Sequence, residues 1–269
     1  MLSLSTYIAI FLYLIATILQ SFTLKGQAKA SPVMIKLIAG SGVILHMLTV
    51  YWVLHQPGGI NLGFFIAGSL VAWLVAAVVV ISSLRQPIEN LFIGVLPMAA
   101  IAASLAAWGP DLGAAKIFHG GLIIHILLSI LAYSILTVAT FQAFLLSKQD
   151  QALKQHHTRG LVASLPPLQT MERLLFEMLW IGMALLTASL LTGFIFLDNL
   201  FAQHLVHKTL LSIMAWFLYA ILLWGRVFRG WRGHRAVRWT ISGFFLLMLS
   251  FFGSKLVLDL IDVWTNAKS

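Results

Sequence analysis

The sequence predicts an all-α fold, a polytopic membrane helical bundle of about eight transmembrane helices with both termini outside. Three observations carry that expectation. Apolar residues make up 60% of the 269-residue chain and charged residues 9%, against roughly 25% charged in a soluble domain; mean hydropathy is +0.96. Apolar runs long enough to cross a bilayer, about 20 residues each, lie at 6–24, 34–54, 61–84, 91–108, 118–146, 174–197, 208–228 and 237–262. Lysine and arginine, finally, crowd the loops on one side.

Those loops carry Lys25, Lys29, Lys36, Arg85, Lys148, Lys154, Arg159, Arg173, Arg226, Arg229, Arg232, Arg235 and Arg238. The opposite loops carry only Lys116, Lys208 and Lys268. Cationic loops stay cytoplasmic, so both termini are expected outside. The net charge of +9 is then a topology signal concentrated on one face and does not require nucleic acid. The run RVFRGWRGHRAVR (226–238) suits anchoring against anionic headgroups.

Taken in order, the elements have local support. Met1 to Thr6 carries no Lys or Arg, and no A-x-A site follows, so the first span is expected to be retained rather than cleaved. Ser31 and Pro32 suit the cap and first-turn positions of the second span, where proline's missing amide costs nothing. Pro57, Gly58 and Gly59 make the next outer turn tight. Pro97 should kink the fourth span by removing one backbone bond. The connection 147–173 is polar and contains Lys148, His156, His157, Arg159 and LPPLQTMER, so it reads as a cytoplasmic loop. Glu177 is placed to pair with Arg173 at i,i+4.

Eight spans leave no room for a soluble catalytic domain, and the chain is expected to be one integral membrane domain over 1–269. With no cysteine, thiol and disulfide chemistry within the chain is excluded. Function must sit between helices or in short loops.

Six of the nine histidines, His46, His55, His119, His125, His204 and His207, fall in the outer half of this layout. At about 1.5 Å per residue, His46 lies roughly 12 Å and His125 roughly 10 Å below the outer helix ends. Imidazoles at matching depth on two helices are what axial ligation of a b-type haem needs. Gly120 and Gly121, a turn above His125, leave space for a macrocycle or another helix. The alternative is that each histidine is interhelical glue, bonded to a carbonyl or a serine. Intramembrane polar groups are costly, which keeps the functional alternative open. His204 and His207 would share a face at the start of the seventh span and touch haem from the rim; with no third ligand, a metal site is not expected. Lys255 could snorkel outward or approach a propionate.

Trp52, Trp108, Trp224, Trp231, Trp239 and Trp264 lie near span ends, as belt residues do. Trp73, Trp180 and Trp216 are deeper, where core packing is expected.

These residues also carry a family resemblance. GLIIHILLSILAYSIL, with His125 followed eight residues later by Tyr133, resembles the histidine-bearing span of cytochrome c assembly proteins of the CcsA type. The stretch LPPLQTMERLLFEMLWIGMALLTASLLTG is similar to that family's next segment. The match there falls on Leu165, Pro166, Leu168, Glu172, Arg173, Gly182, Leu186, Thr187, Thr192 and Gly193. HKTLLSIMAWFLYAILLWGR resembles the following span. The family-like core is 118–262, and through INLGFFIAGSLV, WFLYAILLWG, GWRG and FFGSKLV the chain most resembles the YpjD-like inner-membrane branch.

The resemblance implies haem handling on the outer side of a bacterial inner membrane, without enzymatic activity, alongside other assembly subunits or apocytochrome. The candidate haem contacts are His125, His46 and His207. The family's tryptophan-rich loop is replaced here by DNLFAQHLVHKT, with Lys208 and Thr209 in register. Trp224 stands where a membrane haem-ligating histidine is expected, and no histidine follows Gly253. Of the expected ligands, only His125 carries over directly. A HemX-like regulator of tetrapyrrole synthesis, acting through the cytoplasmic arginines, is the alternative function; a small-molecule or ion transporter is favoured only by span count.

Overall fold

The computed structural model describes residues 2–27, 30–110, 115–118, 120–155, 165–196 and 206–253. Among the described residues, eight helical segments are long and apolar enough to cross a membrane, the fourth and eighth counted with the short turns that adjoin them, as Glu89–Trp108 and Gly233–Gly253. They are α1 (Leu2–Leu24), α2 (Pro32–Leu54), α3 (Phe64–Ser83), α4 (Phe92–Trp108), α5 (Gly120–Lys154), α6 (Leu168–Phe196), α7 (Val206–Arg229) and α8 (Gly233–Met248). A 3-10 turn, Glu89–Leu91, leads into α4, and a π turn, Leu249–Gly253, extends α8. The chain is therefore the polytopic helical bundle that its composition predicts.

Helices suit this sequence because lipid offers no partner for backbone amides, and a helix satisfies them internally. Hydroxyls follow the same logic. Those of Thr17, Ser21 and Thr23 bond back to the carbonyls of Tyr13, Thr17 and Leu19. Between helices the close contacts fall on small residues, as expected where lipid competes for apolar surface. Ala16, Ala39, Ala76, Ala99, Ala139 and Ala143 are fully buried. A side chain added at Gly42 would meet the Tyr13 ring at 2.9 Å, and one at Gly182 would meet Leu136 at 2.6 Å. Leu37, Ile44, Ile81 and Phe228 point away from the bundle, the apolar surface a bilayer covers.

Packing groups α1 to α4 on one side and α5 to α8 on the other, joined where α3 meets α5. At one end the α2–α3 and α4–α5 connections pair as a small antiparallel sheet, β1 (His55–Gln56), β2 (Gly59–Asn61) and β3 (Ala115–Lys116). The turn at Pro57–Gly59 is as tight as the sequence predicts. Gly58 and Gly59 sit at φ +102° and +136°, a region L side chains rarely occupy. The sheet itself is a departure from the all-α expectation, though confined to these two- and three-residue strands.

The opposite end carries the arginines. Lys36 of α2 reaches the connection before α4, with Nζ 2.7 Å from Glu89 Oε1 and 2.6 Å from the Ser83 carbonyl. Ser31 caps α2 in extended conformation with Pro32 in the first turn, although its hydroxyl makes no capping bond. Two expectations need correction. Residues 147–154 and 168–173 are helical, so α5 runs for 35 residues, roughly 52 Å against a hydrocarbon core of about 30 Å. Trp180 is 52% exposed, a lipid-facing side chain and not a core one. Trp73 and Trp216 do pack between helices, donating to the Val43 carbonyl and to Thr187 Oγ1.

Candidate functional site

His46 and His125 occupy different environments. His46, on α2, is fully buried, and both of its ring nitrogens are engaged. Nδ1 lies 3.2 Å from the Tyr13 hydroxyl of α1, and Nε2 lies 2.9 Å from Ser69 Oγ of α3. The Tyr13 ring meets the imidazole edge-on at 5.8 Å. Thr6 and Thr49 add a hydroxyl bond of 3.0 Å between α1 and α2. Using either nitrogen of His46 for iron would break one of these bonds in an apolar interior, where the released partner has no water.

His125 stands on the α5–α6 seam, five residues into α5. Its Nδ1 lies 2.8 Å from the Ser189 carbonyl and 3.5 Å from Thr192 Oγ1. The carbonyl is an obligate acceptor, so Nδ1 carries the proton and Nε2 presents its lone pair. Nε2 has no hydrogen-bond partner among the described residues, and the side chain is only partly buried. An imidazole that donates to a backbone carbonyl through one nitrogen and offers the other is the arrangement of a histidine metal ligand. The seam is held by Ser129, whose hydroxyl lies 2.7 Å from Ser189 Oγ and 2.7 Å from the His125 carbonyl.

The surroundings define what fits there. The space left by Gly121 is filled by the Phe196 ring of α6, against which any side chain at 121 would clash, whereas Gly120 is open. Gly121 therefore serves helix contact. Tyr133, two turns further along α5, is buried within 5.5 Å, 5.8 Å and 5.5 Å of Phe244, Phe251 and Phe252. The π turn carrying the last two is pinned by Ser250 to the Lys208 carbonyl, 2.8 Å, and to Ser212, 2.8 Å. His207, in the first turn of α7, is exposed. His55 lies on β1, exposed and stacked on Tyr51 at 4.4 Å. His119, His204, His156, His157 and Lys255 lie outside the described residues.

Several participants were not legible beforehand. Ser129 and Ser189 read only as small polar residues and Thr192 only as part of the family match, because their partners lie on another helix. Glu172 enters the sequence reading only as part of the family resemblance, and its neighbour Arg173 points about 100° away around the helix. Glu172 instead accepts from Arg226 Nη1 at 2.6 Å and Arg232 Nε at 3.0 Å, while Arg173 takes Glu177 at 3.6 Å, the i,i+4 pair the sequence predicts. The Arg226 guanidinium lies over the Phe176 ring at 4.4 Å. Trp224 is 47% exposed and covered by Arg229 at 4.9 Å, so it lies at the arginine end, far along α7 from His207.

The family model for the cytochrome c assembly protein matches residues 34–261. The chain belongs to that family. It is 37% identical over 208 residues to the inner membrane protein YpjD of Escherichia coli strain K12, covering 76% of this chain and 78% of the relative. An uncharacterized 28.8 kDa protein of Azospirillum brasilense is 31% identical over 140 residues, 51% of this chain and 52% of its own. The cytochrome c biogenesis protein CcsA of Prochlorococcus marinus is 29% identical over 87 residues, 32% and 28% of the two chains. No solved structure matches. Family membership supports a role in cytochrome c biogenesis, and His125 falls within the matched residues.

Proposed function

We propose that this chain is a non-enzymatic, haem-handling component of cytochrome c assembly in the bacterial inner membrane. The strand end of the bundle and both termini face outward. The observation that carries the reading is the His125 Nδ1 to Ser189 carbonyl bond of 2.8 Å, which orients the ring and leaves Nε2 available. His125 is the iron contact, and His207, exposed at the same end of the bundle, is the residue placed to meet haem at the rim. His46 we assign to packing, since Tyr13 and Ser69 take both of its nitrogens.

Haem, when present, would supply the cargo for attachment to an apocytochrome. This chain's own residues supply one oriented nitrogen and an apolar surround, and the residues fit single-histidine contact better than a bis-histidine site. A single ligand suits relay, because a group held by one bond is released more readily than one held by two. The inner-membrane location rests on the relative named for it and on the eight apolar helices. Absorption spectroscopy of full-length protein purified from haem-replete cells tests the proposal. Co-purifying haem with a Soret band is expected; protein that neither co-purifies with haem nor develops the band on titration with haem contradicts it.

A further inference from the structure

The α7–α8 hairpin holds a second site at the arginine end. Leu218 of α7, Trp231 of the connection, and Arg235, Arg238, Trp239 and Ser242 of α8 line a half-open cavity of about 480 Å³. Its apolar wall is built. Trp231 and Trp239 lie 5.4 Å apart at 38°, and Trp231 is seated on Gly225, to whose carbonyl its amide donates at 3.0 Å.

The cationic side chains of the cavity have no carboxylate partner among the described residues. Arg235 and Arg238 are exposed and, three residues apart, share a helix face. Every carboxylate among the described residues already has its cation. Glu89 holds Lys36, Asp150 holds Lys154, Glu177 holds Arg173, and Glu172 holds both Arg226 and Arg232. Arg235 and Arg238 thus have no carboxylate among the described residues, although Arg232, in the connection just before α8, does.

We propose that this cavity binds one anionic phospholipid. Its phosphodiester lies between the guanidinium groups of Arg235 and Arg238, and its glycerol and upper acyl chain lie against Trp231, Trp239 and Leu218. Guanidinium forks match phosphate oxygens in pairs, and paired tryptophans suit the level where headgroup meets chain. The lining holds no iron-ligating side chain, which favours lipid over haem as occupant. The proposal is independent of the reading of His125.

Native mass spectrometry of the full-length protein, titrated in detergent with dioleoylphosphatidylglycerol or dioleoylphosphatidylcholine, tests it. One phosphatidylglycerol adduct is expected in preference to phosphatidylcholine. R235Q/R238Q should weaken that adduct roughly thirty-fold, the loss expected for two interfacial cations. R235K/R238K, which keeps the charges but loses the paired guanidinium forks, should recover the adduct only in part, and R173Q, which removes a cation elsewhere on the same end, should retain all of it. Equal binding of the two lipids, unchanged binding by R235Q/R238Q, or an equal loss in R173Q would overturn the site. Displacement of the lipid by an equal concentration of inorganic phosphate would overturn the lipid as ligand.

Discussion

The Nδ1 atom of His125 and the carbonyl oxygen of Ser189 lie 2.8 Å apart although 64 residues separate them in the chain. The bond joins α5 to α6 and sets the tautomer at once, so one contact both packs the helices and orients the ring. Its neighbours are the hydroxyls of Ser129, Ser189 and Thr192.

That seam gives the first prediction. Ser129→Ala and Ser189→Ala each remove one side of a 2.7 Å hydroxyl bond. Hydrogen bonds between membrane helices contribute about 0.6 kcal/mol on average. A double-mutant cycle by denaturant unfolding in mixed micelles should return a coupling of that order, and a coupling indistinguishable from zero contradicts the bond.

Helix approach at α1 and α2 gives the second. A methyl at position 42 would sit 2.9 Å from the Tyr13 ring, and overpacking of this kind costs about 1–3 kcal/mol. Gly42→Ala should lower the melting temperature, whereas Gly40→Ala, which meets only Val80 at 3.9 Å, should leave it nearly unchanged.

The ion cluster at the arginine end gives the third. Glu172 is 8% exposed and accepts from two guanidinium groups. Glu172→Gln should cost about 2 kcal/mol, within the range for hydrogen bonds to charged groups. The side chain of Arg232 is 60% exposed, and Arg232→Gln should cost under about 1 kcal/mol. Thermal unfolding of the two variants should show that order; the reverse order contradicts the assignment of Glu172 as the buried centre.

Orientation gives the fourth. Thirteen Lys and Arg on one side of the predicted layout against three on the other lead us to expect the arginine end in the cytoplasm. A phosphatase reporter fused after Ser269 should be active, and a reporter there that works only in the cytoplasm contradicts it.

The spans were legible because each is a long apolar run, and Ser31–Pro32 and Pro57–Gly59 marked their turns. The extension of α5 was not. Lys148, Gln149, Asp150 and Lys154 read as loop residues. On the helix, however, Gln149 is buried and donates to the Pro166 carbonyl at 2.9 Å, and Lys154 pairs with Asp150 at 2.6 Å. Strands of two or three residues carry no periodicity, and Ile60 meets Lys116 only after two loops are brought together. His125 stood out in the sequence by depth and motif. That His46 has both nitrogens occupied depends on Tyr13 and Ser69, residues on two other helices, and no spacing rule places them.

The most direct test of the central claim is the Soret spectrum of His125→Ala beside His46→Ala, both purified at full length from haem-replete cells. The account expects haem content to fall at least about ten-fold in His125→Ala, the lower end of what losing even an outer-shell partner costs a metal site, with the band position unchanged in His46→Ala. A wild-type spectrum in His125→Ala, or equal loss in both variants, would contradict it.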